Sequence, residues 1–343
     1  MFGVVLVYSS SAIYAHEKFG DSRFFLKRHM IFLFIGFILM LSLMSVNIAR
    51  IERFSRPLAG ISILLLLFVI IPGIGVSIGG ARRWFRIWFL SFQPSEFAKF
   101  ALITYLASFL SRKGCKIKDF FYGYLPAMSV VSLMTVLVLL EPDLGTAVSI
   151  FAVGFMIIFV AGGKLKHLFG TVLLGLPALY YLIFSVPYRR RRVLIFLDPW
   201  RDKEGSGFQI IQSFLALGSG GLFGVGLGQS KQKLFYLPEA HTDFIFSIIG
   251  EELGFLGASC VLILFAAFVW QGLRAFFKEH RVFNKVLIFG ITVMIAFEAL
   301  VNIGVSLGAF PTKGLPLPFI SYGGSSLVFH MAAFGLMLNA MRE

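Results

Sequence analysis

Ten stretches of the chain are apolar over fifteen residues or more, at about 1–15, 29–48, 58–77, 93–111, 122–140, 144–161, 167–186, 244–270, 284–307 and 324–341. That pattern restricts the fold more than any other feature. Hydrocarbon supplies no partner for a bare peptide group, so a crossing segment must close its own hydrogen bonds. A helix spanning roughly 30 Å of hydrocarbon takes about 20 apolar residues. The pattern predicts an all-α polytopic membrane protein of ten transmembrane helices. Charged residues make up only 14% of the chain, against about a quarter in soluble domains, which excludes an ordinary soluble globule. The polar remainder is mostly residues 187–243, expected as one large extracytoplasmic loop between the seventh and eighth helices.

The first stretch is the shortest, and fifteen residues cover only about 22 Å as a helix. It reads as a retained helix lacking its cytoplasmic start, because Phe2-Gly3-Val4-Val5 carries none of the basic residues that open a cleaved signal. Cys115 falls in a short loop and Cys260 inside an apolar stretch, a spacing that suggests neither a disulfide nor a metal ligand set. No period of 20–50 residues recurs, so residues 1–343 read as a single membrane domain.

With the N-terminus placed in the cytoplasm, the inner loops and C-terminus hold fourteen Lys and Arg and the outer side sixteen. Eight of the sixteen lie in the 187–243 loop. Long loops weigh little in setting topology, so fourteen against eight favours that orientation. Arg82, Arg83, Arg86, the run Arg189–Arg192, Lys231, Lys233 and Lys313 then share the outer face. Such a field concentrates anions. Lipid headgroups alone would satisfy it, at roughly 1 kcal/mol per basic residue, and so would a pyrophosphate-bearing lipid.

The polar loop ends in Leu237-Pro238-Glu239-Ala240-His241-Thr242-Asp243 and runs directly into Phe244-Ile245-Phe246. Two carboxylates and a histidine therefore stand at a membrane boundary, where an acid needs a charged or polar answer. Upstream, Arg192-Val193-Leu194-Ile195-Phe196-Leu197 suits an element lying in the interface plane. The glycines between 218 and 228 either turn backbone N–H groups toward an anion or allow tight backbone packing. Glu96 and Lys99 lie three residues apart on one helix face, as a structural ion pair or as the lining of a polar cavity. Glu251 and Glu252 follow Asp243 by more than two turns and point apart, so at least one needs a partner or water.

Six longer strings carry a resemblance. GARRW at Gly80–Trp84, FQPSEFAK at Phe92–Lys99, EPDLGTA at Glu141–Ala147, the QIIQSFLALGSGG run from Gln209, LPEAHTDFIFSIIGEELG at Leu237–Gly254 and LPFISYGGSS at Leu317–Ser326 occur in order. Together they resemble the SEDS family, the shape, elongation, division and sporulation proteins. Asn302-Ile303-Gly304 followed by Pro311-Thr312-Lys313-Gly314 is nearer to the family's division member than to its elongation member.

The resemblance implies a ten-helix glycosyltransferase of the bacterial cytoplasmic membrane. Such an enzyme polymerises lipid II into peptidoglycan strands at the outer face, beside a class B penicillin-binding protein that crosslinks them and other divisome proteins. It carries the family's essential aspartate onto Asp243, its in-membrane Glu/Lys pair onto Glu96 and Lys99, and basic positions onto Arg83 and Arg192. Asp243 is then the expected general base. Arg83, Arg192, Lys233 and Lys313 are expected to neutralise the departing pyrophosphate, with His241 among the substrate-binding residues. No cofactor is obligatory and no nucleic acid is involved. A magnesium or manganese ion could share the charge, although no compact carboxylate cluster marks a metal site. Two other functions fit the same composition: a flippase for lipid II, and a non-catalytic scaffold for the transpeptidase.

Overall fold

The computed structural model describes residues 2–78, 80–87, 90–202, 205, 207–234, 237, 240–312 and 314–342. In the described residues all ten apolar stretches are helical, the third only as far as Ile70. They form α1 (Phe2–Phe19), α2 (Phe24–Ser45), α3 (Ile48–Ile70), α4 (Pro94–Lys113), α5 (Leu125–Leu140), α6 (Leu144–Val160) and α7 (Leu165–Phe184). After the polar segment come α10 (Ile245–Lys278), α11 (Val282–Ser306) and α12 (Gly324–Ala340). Among the described residues six helical segments, Phe120–Leu140 and those of α2, α3, α7, α10 and α11, are long and apolar enough to cross a membrane.

Two features depart from the sequence expectation. The fold is not all-α: β1 (Val76–Ile78), β2 (Ala81–Ile87) and β3 (Leu90–Phe92) form an antiparallel sheet in that order. The third apolar stretch was expected to run to residue 77, but α3 ends at Ile70 and Pro72 and Gly73 follow. The β-branched and aromatic residues beyond that break pair as strands, which a count of apolar residues does not distinguish from helix. The polar segment 187–243 is also far from a bare loop. It contains α8 (Pro187–Leu197), a single 3₁₀ turn at Pro199–Asp202 and α9 (Phe208–Ser219).

The chain gathers into two compact units. The first comprises Met1–Ile31, Val172–Ala267 and Glu298–Gly323; the second comprises Phe32–Thr171, Phe268–Phe297 and Gly324–Glu343. In the second unit α4 is the central element. Fifteen of its residues are buried, on every side of the helix, as expected of an element enclosed by others. It packs on α3, α6 and α12 and touches β2. The sheet is pinned to the start of α12 through Ser325, whose hydroxyl donates to the Ser91 carbonyl at 3.1 Å and accepts from the Gln93 N–H at 3.0 Å.

In the first unit the decisive element is α10, which is broken at Gly254 (φ 67°, ψ −165°). The break frees the carbonyls of Glu251 and Glu252. They accept from the N–H groups of Val225 at 3.0 Å and Gly226 at 3.1 Å, while Phe255 and Leu256 donate back to the carbonyls of Gly221 and Leu222. The glycine-rich run is thus zippered backbone to backbone onto α10, and the N–H groups of Val225 and Gly226 are occupied by protein. Tight packing, one of the two readings of these glycines, is the observed one. A methyl group at Gly254 would lie 2.6 Å from the Leu222 carbonyl oxygen and against the Gly224 nitrogen. Positive φ and crowding together cost about 2–5 kcal/mol. Gly254→Ala should therefore lower the apparent melting temperature in detergent by at least about 5 °C; an unchanged melting curve would show that the junction tolerates side chains.

Candidate active site

Asp243 stands two residues before α10, where the helix N-terminus favours negative charge. Its flanks are fixed by burial: Leu237, Ala240, Phe244 and Ile248 pack with Val305 of α11 as one apolar cluster. The backbone is held as firmly. The Asn302 amide of α11 donates to the Asp243 carbonyl at 3.0 Å and to the Leu315 carbonyl at 2.8 Å. Ser321 donates to the Thr242 carbonyl at 2.6 Å, and the Tyr322 N–H to that of His241 at 2.9 Å. These bonds draw the 311–322 segment over the acid. Gly314 sits so close that a Cβ there would be 3.0 Å from the Asp243 carboxylate.

The same segment is gripped from α8. Arg192 donates to the Thr312 carbonyl at 2.9 Å, and its guanidinium lies 4.6 Å from the centre of the Tyr188 ring. Arg192 therefore reaches the backbone two residues from Gly314, the residue that touches the acid. Lys313 and Glu239 fall outside the described residues. His241 is buried between the rings of Phe25 (4.6 Å), Tyr14 and Tyr322 (both 5.8 Å). Burial raises the proton affinity of the Tyr322 hydroxyl, and the neighbouring Arg28 opposes that shift.

Lys233 is placed differently from the sequence expectation. It is buried, and its ammonium donates to Glu252 at 2.8 Å and to Ser9 at 3.3 Å. Ser9 also donates to both Glu252 carboxylate oxygens. Glu251 accepts from the Ser230 hydroxyl and, at 2.8 Å, from the Lys231 N–H. Both glutamates thus find partners, and both bind the 230–233 turn. The Lys233 charge is spent inside this unit as an anchor for the polar segment.

The other expected residues lie in the second unit. Glu96 and Lys99 form an ion pair of 2.8 Å with side chains only 4% and 3% exposed. Glu96 is in the first turn of α4, where Gln93 precedes the helix and Pro94 opens it. Arg83 on β2 donates to the carbonyls of Glu141 at 3.1 Å and Pro142 at 2.6 Å and lies 3.6 Å from the Asp143 carboxylate. It holds the turn between α5 and α6, where Asp143 caps α6 by accepting from Thr146.

The family model of the cell cycle proteins FtsW, RodA and SpoVE matches residues 1–343. The chain belongs to this family. It is 46% identical over 338 residues, 98% of this chain and 92% of the relative, to a protein named probable peptidoglycan glycosyltransferase FtsW of Geobacter sp. strain M18. It is 45% identical over 340 residues, 99% and 93% of the two chains, to stage V sporulation protein E of Bacillus subtilis strain 168. Among solved structures it resembles a chain from a study of how a peptidoglycan synthase complex coordinates polymerization and crosslinking. There the TM-score is 0.78 at 34% identity, covering 99% of this chain and 96% of that one.

Several residues that build this family member's site were not singled out for it by the sequence. Asn302 is an amide within an apolar stretch, a signal that was available; Gly314 and Ser321 fall in family strings that assigned them no role, and Ser9 carried no signal. Glu141 is another. It is buried, and among the described residues neither carboxylate oxygen has a hydrogen-bond partner. Burial first, then the Asp143 charge, pushes its pKa from the ordinary 4.5 to about 8, against the pull of Arg83. The folded chain therefore holds a proton there that an unfolded chain has lost. The stability from this group is complete below about pH 4.5 and is lost as pH rises toward 8, on the order of several kcal/mol. Glu141→Gln, which cannot ionise, should match wild type in thermal unfolding at pH 5 and exceed it at pH 8. Parallel pH profiles for the two proteins would refute the assignment.

Proposed function

We propose that this chain is a peptidoglycan glycosyltransferase that polymerises lipid II into glycan strands at the outer face of the cytoplasmic membrane. Ten transmembrane helices, with residues 187–243 on the outer side, are part of the proposal, as are a class B penicillin-binding protein partner and other divisome proteins. The names of its relatives support the activity, and the charge count supports the orientation. The cell-division setting follows from the cell cycle family and from Asn302-Ile303-Gly304 with Pro311–Gly314.

The observation that carries the reading is the Asp243 carboxylate lying against Gly314, in a segment clamped by Arg192 and Asn302. Chain growth requires the 4-hydroxyl of an acceptor sugar to attack the anomeric carbon of a donor attached to a polyprenyl pyrophosphate. The C–O bond to the pyrophosphate breaks, configuration inverts, and the hydroxyl proton must leave. Asp243 takes that proton and its charge offsets the positive character developing on the donor sugar. Arg192 and Lys313 answer the negative charge of the departing pyrophosphate. His241, Asn302 and Ser321 position the acid through its backbone, and Lys233 anchors the polar segment. Arg83, Glu96 and Lys99, expected among the substrate-binding residues, are assigned no proton transfer in this proposal, and no step is assigned to a metal ion.

Asp243→Asn preserves shape and removes basicity. Purified with its transpeptidase partner, it should bind lipid II and make less than about 1% of the wild-type glycan, a loss typical of removing a general base. Glycan at a near wild-type rate would end the proposal, and translocation of labelled lipid II in sealed vesicles without polymer would assign transport instead. Gly314→Ala should retain the wild-type melting temperature yet slow polymerisation about tenfold, because its methyl group displaces the carboxylate rather than the core. Full activity in that variant would show that the acid is not used in the position observed.

A further inference from the structure

One cavity of about 410 Å³ lies at the end of the second unit where α4, α6, α10 and α11 meet. It is remote in sequence from Asp243 and within the size range of ligand sites. Its wall is apolar, with Leu110, Ile157, Phe276, Val286 and Phe289, and two lysines, Lys118 and Lys285, complete the lining. Lys285 is half-buried and its ammonium is 5.0 Å from the centre of the Phe276 ring, which holds the charge against the wall. Among the described residues neither lysine has an ion-pair partner. The acids nearest in sequence are engaged by backbone: Asp119 accepts from the N–H groups of Phe121 and Tyr122, and Glu279 from those of His280 and Arg281.

We propose that this cavity binds an anionic phospholipid of the surrounding bilayer, with an acyl chain against the apolar wall and the phosphate between Lys118 and Lys285. The lining combines an oily wall too extensive for a bare anion with two unanswered cations that repel a choline headgroup. Basic pockets between helices at a cytoplasmic surface take phosphate headgroups in this way. The segments bordering the cavity also carry Arg112, Lys113, Lys116, Lys164 and Lys166, the side that the charge count assigns to the cytoplasm. The inference is independent of the reaction at Asp243.

Retention of lipid by the delipidated full chain, read by native mass spectrometry, tests it. Wild type should retain phosphatidylglycerol at least tenfold over phosphatidylcholine. Combined Lys118→Ala and Lys285→Ala should erase that preference. Val160→Trp, at a cavity-lining position 36% exposed, should displace both lipids while leaving the melting temperature unchanged. Equal retention of the two lipids by wild type overturns the proposal even if the variants fold poorly. Unchanged phosphatidylglycerol retention in both variants overturns it too, and leaves an acidic peptide segment as the occupant to consider. Displacement by millimolar glycerol 3-phosphate would show a free-anion site and also overturn it.

Discussion

The break in α10 at Gly254 is the constraint on which the first unit depends. An unbroken helix would keep the carbonyls of Glu251 and Glu252 for its own turns. Interrupted, it offers them to Val225 and Gly226, and the carboxylates of the same two residues bind Ser230, the Lys231 N–H and Lys233. Main chain and side chains of one dipeptide thus hold the glycine run and the turn after it. The segment that follows leads into Ala240–Asp243, so the acid inherits its position from a junction more than two helical turns away. A peptide group without water must find a partner, which makes the junction all-or-none.

Around Asp243 the backbone is held at several points. Asn302, Ser321 and the Tyr322 N–H each bond a carbonyl of residues 241–243, and the flanking apolar residues are buried with Val305. Fixing the peptide on either side sets the direction in which the Asp243 carboxylate is carried, as a proposed base requires. Arg192 works by the same logic on the opposing segment, bonding the Thr312 carbonyl with one nitrogen and keeping other donors of its fork.

The extent to which all this was legible in the sequence differs by residue type. Helical content was written in apolar length, and the ten stretches are helical in the described residues apart from the end of the third, beyond Ile70. The sheet was hidden because Val76, Ile78, Trp84 and Phe85 are as oily as helix residues, and only the Pro72–Gly73 break announces the change. Asp243 was visible because an acid at a hydrocarbon edge is costly. Lys233 shows a related limit: the sequence marks a cation expected on the outer side but not the carboxylate 19 positions away that pairs with it. Glu251 and Glu252 advertised that partners were needed, and the identity of those partners waited for the fold. Gly314 and Ser9 meet neighbours distant in the chain, so the Pro311–Gly314 string marks the glycine without showing what it faces, and no local pattern marks Ser9.

Buried charge in this protein follows one rule at several places. Lys233 meets Glu252 and Lys99 meets Glu96, each pair almost wholly shielded. Such pairs contribute little net stability, because desolvation offsets the attraction, yet breaking one strands its partner at a cost of about 3–5 kcal/mol. Their value is in register: the Lys233 pair admits only the arrangement that brings the 230–233 turn onto α10. Among the described residues Glu141 has no hydrogen-bonded cation at its carboxylate and is kept neutral by burial instead, and neither Lys118 nor Lys285 at the surface cavity has an ion-pair partner. Where the interior can supply a counter-ion the charge is structural. Where only the surroundings can, the charge is free to recognise something from outside, which is the condition the α4–α11 cavity meets.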